Sequence, residues 1–296
     1  MSNALSILIP TYNYNVLPLV KQLHHQGLES EISFEINVYD DCSPDSPKEN
    51  EHINSLSHAS FTKLPKNIGR SAIRNRLAQN ATNETLLFLD ADTLPMNTNF
   101  ISNYVPYLTS ACELVFGGIA YTASKPKKYQ KLRYIYGRKR EMQSVAHRAE
   151  NPHFIMSANL MIRKEIFLHL NTMLENIYGD DLVLSQNLKN SDFSTIHLDN
   201  PIIHLGLETS EVFFKKSMQA VTTIVRLEEN DLIDPDLTKL QRTFISLRKN
   251  GFLPIALFVV RAMKFLLKRN LLGPIPFLYF LDLLKLEQYA NEKKNG

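Results

Sequence analysis

The chain has little cysteine and little net charge. Its two cysteines, Cys42 and Cys112, lie far apart and outside any Cys-x-x-Cys or Cys/His pattern. This usage argues against a disulfide framework and against a zinc site, and it fits a reducing compartment. The formal net charge of +3 is too small to indicate a nucleic-acid-binding protein on its own.

Two familiar phosphate-binding signatures are also missing. No Gly-x-Gly-x-x-Gly follows the first apolar run, and no Gly-x-x-x-x-Gly-Lys-Ser/Thr occurs anywhere in the sequence. The chain therefore carries neither the dinucleotide fingerprint nor a P-loop. Any phosphate group must be held by other means.

Long uninterrupted apolar runs are absent as well. The segments 252–260 and 271–281 are strongly apolar, but basic residues and Asp282 interrupt them short of the roughly 20 apolar residues that a spanning helix needs. The first residues include no basic leader and no small-residue cleavage site, which argues against a signal peptide. We expect no membrane-spanning helix and a cytoplasmic protein.

Short apolar runs alternate with polar helical stretches in the first third of the chain. Leu5–Pro10, Phe34–Asp40 and Thr85–Asp90 have the apolar content and spacing of strands, and Ser60–Leu64 is predicted as a further short strand. Strands that are apolar on both faces and separated by helices are typical of a parallel sheet covered by helices. We predict an α/β fold with a doubly wound, mostly parallel sheet in residues 1–210, followed by a helical C-terminal region in residues 211–296.

Polar residues follow four of the predicted strands. These strand ends are 10–13, 40–43, 64–70 and 90–92. In open parallel sheets ligands bind beyond the carboxyl ends of the strands, where loops and helix N-termini converge. We expect all four segments to lie at one edge of the sheet.

Asp90 and Asp92 form an Asp-x-Asp pair directly after an apolar strand. Two such carboxylates can face one divalent cation, directly or through water, and leave coordination positions for phosphate oxygens. The alternative is that they cap a turn or the next helix, as aspartates after strands often do.

Seven motifs occur in an order and spacing that resemble the family 2 glycosyltransferases, which have the GT-A fold. The resemblance extends from Leu5 to Gly206 and rests on the following segments: Ser6–Asn13, Asp40–Asp45, Asn67–Asn75, Phe88–Thr93, Ser157–Phe167, Gly179–Ser185 and Ile202–Gly206. It implies an enzyme that moves a sugar from a nucleoside diphosphate donor to a hydroxyl acceptor, with a UDP-sugar favoured over a GDP-sugar.

The resemblance also implies a donor pocket. Its expected members are Pro10, Thr11, Tyr12, Asp41, Asn67, Gly69, Arg74, Asp90 and Ala91. A carboxylate such as that of Asp41 can select a nucleobase by accepting its ring N–H, because a base without that donor leaves the charge unpaired. The alternatives are that Asp40 and Asp41 are turn residues before Pro44, which we favour for Asp40, and that Arg70 and Arg74 form an exposed basic face.

Three further roles follow from the resemblance. Asp92, Asp90 and His204 are expected to hold Mn²⁺ or Mg²⁺, and Asp181 is expected to act as the general base in a single displacement that inverts the anomeric carbon. The alternatives are that Asp180 or Asp181 caps the helix that starts there, and that His204 is a structural residue after a strand.

The second half of the sequence is less specific. The stretch 125–140 mixes basic residues with tyrosines, a pattern that fits single-stranded nucleic acid, an anionic acceptor, lipid head groups or a solvated loop. Near the C-terminus, Arg261, Lys264 and Lys268 recur at helical spacing beside apolar residues. Such a helix can lie on the cytoplasmic face of an anionic membrane or pack on the protein.

Two functions therefore remain at this point. The first is a metal-dependent glycosyltransferase that acts on a sugar or lipid-linked glycan acceptor in the synthesis of surface polysaccharides or glycoconjugates. The second is a protein that binds nucleotide sugars or nucleic acid without turnover. Nucleic acid is the less favoured partner because the net charge is low.

Overall fold

The computed structural model describes residues 3–110, 112–173, 179 and 181–295. The strands in these residues are β1 Ala4–Thr11, β2 Ser33–Asp40, β3 Ala59–Lys63, β4 Thr85–Leu89, β5 Thr93–Pro95, β6 Leu114–Phe116, β7 Ile119–Ala120, β8 Asn159–Arg163, β9 Thr195–His197 and β10 Ile202–His204. The α-helices are α1 Leu17–Glu29, α2 Arg70–Asn80, α3 Val105–Leu108, α4 Lys131–Tyr136, α5 Val145–Ala149, α6 Lys164–Leu170, α7 Asp181–Lys189, α8 Ser210–Glu229, α9 Lys239–Lys249, α10 Leu253–Leu271 and α11 Leu278–Asn295.

The main sheet has seven strands in the order β3-β2-β1-β4-β8-β6-β9. Strands β3, β2, β1 and β4 run parallel, whereas β8 is antiparallel to both of its neighbours. In register, Ile7 of β1 lies between Ile36 of β2 and Leu87 of β4. The prediction of a mostly parallel sheet between helices is confirmed.

The central strands explain why this sheet is stable. All five residues of β4 are buried, as are seven of the eight in β1. A parallel strand covered by helices on both faces buries successive side chains on alternating sides. Each fully buried aliphatic side chain contributes about 1.5–3 kcal/mol relative to exposure. The loops at the carboxyl ends of these strands therefore start from a rigid base.

A second, three-stranded sheet has the order β5-β10-β7. Strand β10 is antiparallel to β5, with His204 opposite Thr93, and parallel to β7. The run 113–121 is not one continuous strand, because β6 and β7 belong to different sheets. Gly117 and Gly118 separate the two strands, and Gly118 has a φ of +87°. A Cβ atom on Gly117 would lie 2.7 Å from the backbone oxygen of Asn200.

The chain divides into two compact units. The first contains residues 1–122 and 142–206, and the second contains residues 123–141 and 207–296. The second unit thus takes in a segment that the sequence analysis assigned to the sheet domain. Its core consists of buried side chains from α4, α8, α10 and α11: Leu132, Phe213, Val260, Leu267, Leu271, Leu278, Leu281 and Leu284.

The basic, tyrosine-bearing stretch 125–140 is folded into this second unit. Tyr136 packs within the unit, and burial, together with the negative charge of Glu141, raises its pKa to about 12. Arg133 pairs with Glu141 at 3.0 Å, and Arg140 pairs with Asp282 at 2.6 Å. The interpretation as a solvated loop is therefore wrong for 131–140, whereas 125–129 are largely exposed.

Among the described residues, no single helix combines the length and apolar content needed to cross a bilayer. Helices α9 and α10 reach that threshold only as a pair, and they are bent by 118° relative to each other.

Candidate active site

The loops after β1 and β2 are joined at the carboxyl edge of the sheet. The backbone N–H of Asp41 donates to the carbonyl of Thr11 at 2.9 Å, and the backbone N–H of Asn13 donates to the hydroxyl of Ser43 at 2.7 Å. Thr11 is buried, whereas the ring of Tyr12 is 52% exposed. The two loops therefore form one surface, with the Tyr12 ring at its outside.

Asp40 and Asp41 have different surroundings although they are adjacent. Asp40 is fully buried and accepts hydrogen bonds from the backbone of Ser43 at 2.7 Å and the hydroxyl of Ser46 at 2.5 Å. It is a turn residue, as favoured from the sequence. Asp41 instead reaches across to the loop that follows β3.

Asp41 fixes the entry into helix α2. One of its carboxylate oxygens accepts from the backbone N–H of Ile68 at 2.7 Å and the other from that of Gly69 at 2.9 Å, while the side chain of Asn67 donates to its carbonyl at 3.0 Å. Gly69 has φ +88°, a conformation that glycine adopts without strain. Each carboxylate oxygen keeps a further lone pair, so Asp41 can still accept from a ligand.

Helix α2 brings two arginines to the same edge. Arg74 is buried and pairs with the carboxylate of Asp90 at 2.5 Å, and it also donates to the carbonyl of Arg70 at 3.0 Å. Burial alone would raise the pKa of Asp90, but the positive charges of Arg74 and Arg70 outweigh it and hold that pKa below its usual range. Asp90 is therefore an ionised partner of Arg74.

Asp92 and His204 lie side by side because β5 and β10 pair. The antiparallel register sets His204 opposite Thr93, and the backbone N–H of Leu205 donates to the carbonyl of Asp92 at 2.8 Å. As a result, Nε2 of His204 is 3.5 Å from Oδ2 of Asp92. A Cβ on Gly206 would overlap that carboxylate, so the close approach requires glycine.

Two tyrosines that the sequence analysis did not select lie beside this pair. The ring centroid of Tyr121 is 5.6 Å from that of His204. Burial raises the pKa of Tyr14, and the negative charge of Asp92 raises it further. Tyr14 follows the Pro-Thr-Tyr-Asn segment directly, but the position of Tyr121 depends on β7 pairing with β10, which no local pattern reveals.

Asp181 begins helix α7, in keeping with the expectation that a helix starts there. Its Oδ1 accepts from the hydroxyl of Ser157 at 3.0 Å, and a guanidinium nitrogen of Arg70 lies 3.8 Å from its Oδ2. Asp181 is partly exposed, and Ser157 is buried. Arg70 and Ser157, which were not among the selected site residues, thus orient the proposed base. Asp180 lies outside the described residues.

The polar groups at this edge fit a cation that shares its coordination with a ligand. Among the described residues, no group of three or more His, Cys, Asp or Glu side chains is arranged to hold a metal by itself. Asp92 and His204 nevertheless provide one carboxylate and one imidazole in contact, and Nδ1 of His204 is buried without a hydrogen-bond partner in that part of the chain. A carboxylate and an imidazole are both ligands that Mn²⁺ accepts.

The structure brings most of the predicted site residues to this one edge of the first unit. Pro10 and Ala91 are partly exposed members of the loops that carry the others. Thr11, Asp41, Asn67 and Gly69 are linked by hydrogen bonds between neighbouring loops. The remaining members form ion pairs or close contacts across the edge: Arg74, Asp90, Asp92, Asp181 and His204.

Three solved glycosyltransferase structures share the fold. The mannosyltransferase PcManGT from Pyrobaculum calidifontis, in complex with GDP-Man and Mn²⁺, aligns over 98% of this chain and 86% of its own, with 14% identity and a TM-score of 0.57. TarS residues 1–349 from S. aureus, in complex with UDP-GlcNAc, aligns over 99% and 91%, with 18% identity and a TM-score of 0.52. Mannosyl-3-phosphoglycerate synthase from Rubrobacter xylanophilus aligns over 78% and 76%, with 13% identity and a TM-score of 0.51.

The likeness to these structures shows that the chain has the GT-A fold. More particularly, the chain belongs to glycosyl transferase family 2, whose model matches residues 6–170, more than half of the sequence. No curated protein matches the chain significantly. The resemblance inferred from the motifs is confirmed.

Proposed function

We propose that this chain transfers a sugar from a nucleoside diphosphate donor to a hydroxyl acceptor, with a divalent cation and inversion at the anomeric carbon. The observation that supports this most is the convergence at one sheet edge of Asp41, the Arg74–Asp90 pair, the Asp92–His204 pair and Asp181. These groups match the needs of base recognition, diphosphate neutralisation and proton removal.

The donor pocket is proposed to lie between the loops after β1 and β2. Asp41 is held by two backbone N–H groups and retains lone pairs for a base N–H. Uracil and guanine both present such a ring N–H. We propose that the donor is a UDP-sugar, and the alternative is a GDP-sugar.

Asp92 and His204 are proposed to hold Mn²⁺ or Mg²⁺, with Asp90 contributing through water. When bound, the cation would neutralise charge on the departing diphosphate. One imidazole among oxygen ligands suits Mn²⁺ somewhat better than Mg²⁺. The ion pair with Arg74 would hold the Asp90 carboxylate in place at the same edge.

Asp181 is proposed to remove the proton from the acceptor hydroxyl. The hydrogen bond from Ser157 and the nearby Arg70 guanidinium orient its carboxylate. A carboxylate is a weak base compared with the alkoxide it would have to generate, so positioning must supply much of the rate. The proposed acceptor is a sugar hydroxyl, free or on a lipid-linked glycan, in the cytoplasm.

The test is a panel of nucleotide sugars incubated with Mn²⁺, Mg²⁺ or EDTA, with release of nucleoside diphosphate as the readout. We expect slow donor hydrolysis with one class of donor, stimulated by Mn²⁺ and lost in Asp92→Asn. A matched control is Asp231→Asn, an exposed aspartate of the second unit. Absence of release with every donor, together with measurable nucleotide binding, would favour a binding protein without turnover.

A further inference from the structure

Helix α10 has two apolar faces. The inner face consists of Leu257, Val260, Leu267 and Leu271, all of which are buried. Three of these residues belong to the core of the second unit. This packing already accounts for the amphipathic pattern that such a helix needs.

The outer face of α10 is apolar as well, and it is exposed. It consists of Ile255, Phe258, Val259, Phe265 and Leu266, which lie on one side of the helix, opposite the buried residues. Phe258 and Phe265 are 73% and 75% exposed. Isolated exposed apolar residues are common, but a contiguous set on one helix marks a docking surface.

Further exposed apolar residues flank α10 in the sequence. Phe252 precedes α10, Ile275 and Phe277 lie in the connection to α11, and Tyr279 lies in the first turn of α11. A helix that is apolar on both sides is normally buried completely. The outer face of α10 therefore requires an apolar environment that the second unit itself does not provide.

The charge near this face indicates which kind of binding partner could cover it. Residues 237–281 contain eight Lys or Arg residues and no Asp or Glu. Arg261 and Lys264 pair with Glu287, but Lys268 and Arg269 add positive charge in the last turn of α10. A second copy of the same face would bring like charges together. An anionic lipid surface supplies both the opposite charge and the apolar phase.

We propose that the outer face of α10 docks on an anionic phospholipid bilayer, with the helix lying in the plane of the interface. Phe258 and Phe265 enter the boundary between head groups and acyl chains, and Arg269 contacts lipid phosphates. The inner face stays in the core of the second unit. The sequence left membrane contact and packing on the protein as alternatives, and here one helix does both on opposite sides.

Flotation of the full chain with vesicles tests this proposal. We expect binding to vesicles of phosphatidylcholine with phosphatidylglycerol and much weaker binding to phosphatidylcholine alone. The double variant Phe258→Gln/Phe265→Gln should weaken binding at least about tenfold, because it removes buried aromatic area. Arg269→Gln should weaken it about fivefold, the effect of one basic residue at an anionic surface.

Matched controls make the test specific. Leu28→Gln and Lys21→Gln remove an exposed apolar residue and an exposed charge from α1, and both should bind vesicles as the unaltered chain does. Equal binding by the double variant would overturn the proposal. Absence of vesicle binding, with a dimer in sedimentation velocity that the double variant dissociates, would also overturn it in favour of a second copy. Donor hydrolysis should be unchanged in the double variant, so this outcome is independent of the proposed catalysis.

Discussion

The sheet edge of the first unit presents polar and charged groups, whereas the outer face of α10 in the second unit presents apolar side chains. At the sheet edge, polar and charged groups are paired with one another: Arg74 with Asp90, His204 with Asp92, and Arg70 with Asp181. On α10, apolar side chains face solvent without partners in their own unit. The first arrangement is preorganised for chemistry, and the second is preorganised for docking.

The sharpest way to separate these roles is Asp181→Asn. The change removes a proton acceptor while keeping the shape of the side chain, so turnover should fall about 100- to 10,000-fold. Nucleotide binding, measured by calorimetry, and vesicle binding should both persist. A variant that retains full turnover with an acceptor would show that Asp181 is only a helix cap.

Substitutions of apolar residues in the two regions should differ strongly in their effect on the free energy of unfolding. Leu87 in β4 is fully buried, and Leu87→Ala should lower the free energy of unfolding by about 2–5 kcal/mol. Phe258→Ala on the outer face of α10 should change it by less than about 0.5 kcal/mol. Urea denaturation of both variants measures the contrast, and a large loss for Phe258→Ala would mean that this face packs within the protein.

A smaller effect is expected from Gly206→Ala. The added methyl group would overlap the carboxylate of Asp92 and displace it from His204. Misplacement of a catalytic group by about 1 Å can cost on the order of a hundredfold in rate, so a loss of about tenfold to a hundredfold in donor hydrolysis is expected. The Mn²⁺ concentration for half-maximal activity should rise. Unaltered Mn²⁺ dependence would place the cation away from Asp92.

Ser157→Ala should have the smallest effect on catalysis. It removes the hydroxyl that donates to Asp181 at 3.0 Å, a hydrogen bond worth about 1 kcal/mol. We expect kcat to fall about fivefold with the KM for the donor unchanged, and Ser157→Thr to restore part of the rate. A rise in KM with constant kcat would instead assign Ser157 to donor binding.

Local sequence patterns were sufficient to predict part of the fold and part of the candidate site. The parallel strands and the position of Asp90 and Asp92 at a strand end follow from apolar runs and their termination. The spacing of Arg70 and Arg74 placed them on one face of α2, but not beside Asp181 and Asp90, because those pairings depend on how the strands and helices pack.

The rest depends on contacts between distant segments. His204 meets Asp92 only because two three-residue strands pair across more than a hundred residues, and strands that short carry little pattern. The division of 113–121 between two sheets depends on crowding at Gly117. Helix α10 is apolar on two sides, so its sequence does not reveal which side is buried.

A crystal structure of the protein soaked with Mn²⁺ and UDP would locate both the cation and the nucleotide. We predict an anomalous peak for manganese within coordination distance of the Asp92 carboxylate and the His204 imidazole, with the uracil ring N–H donating to Asp41. A cation bound elsewhere, or a nucleotide seated away from the loops after β1 and β2, would contradict it.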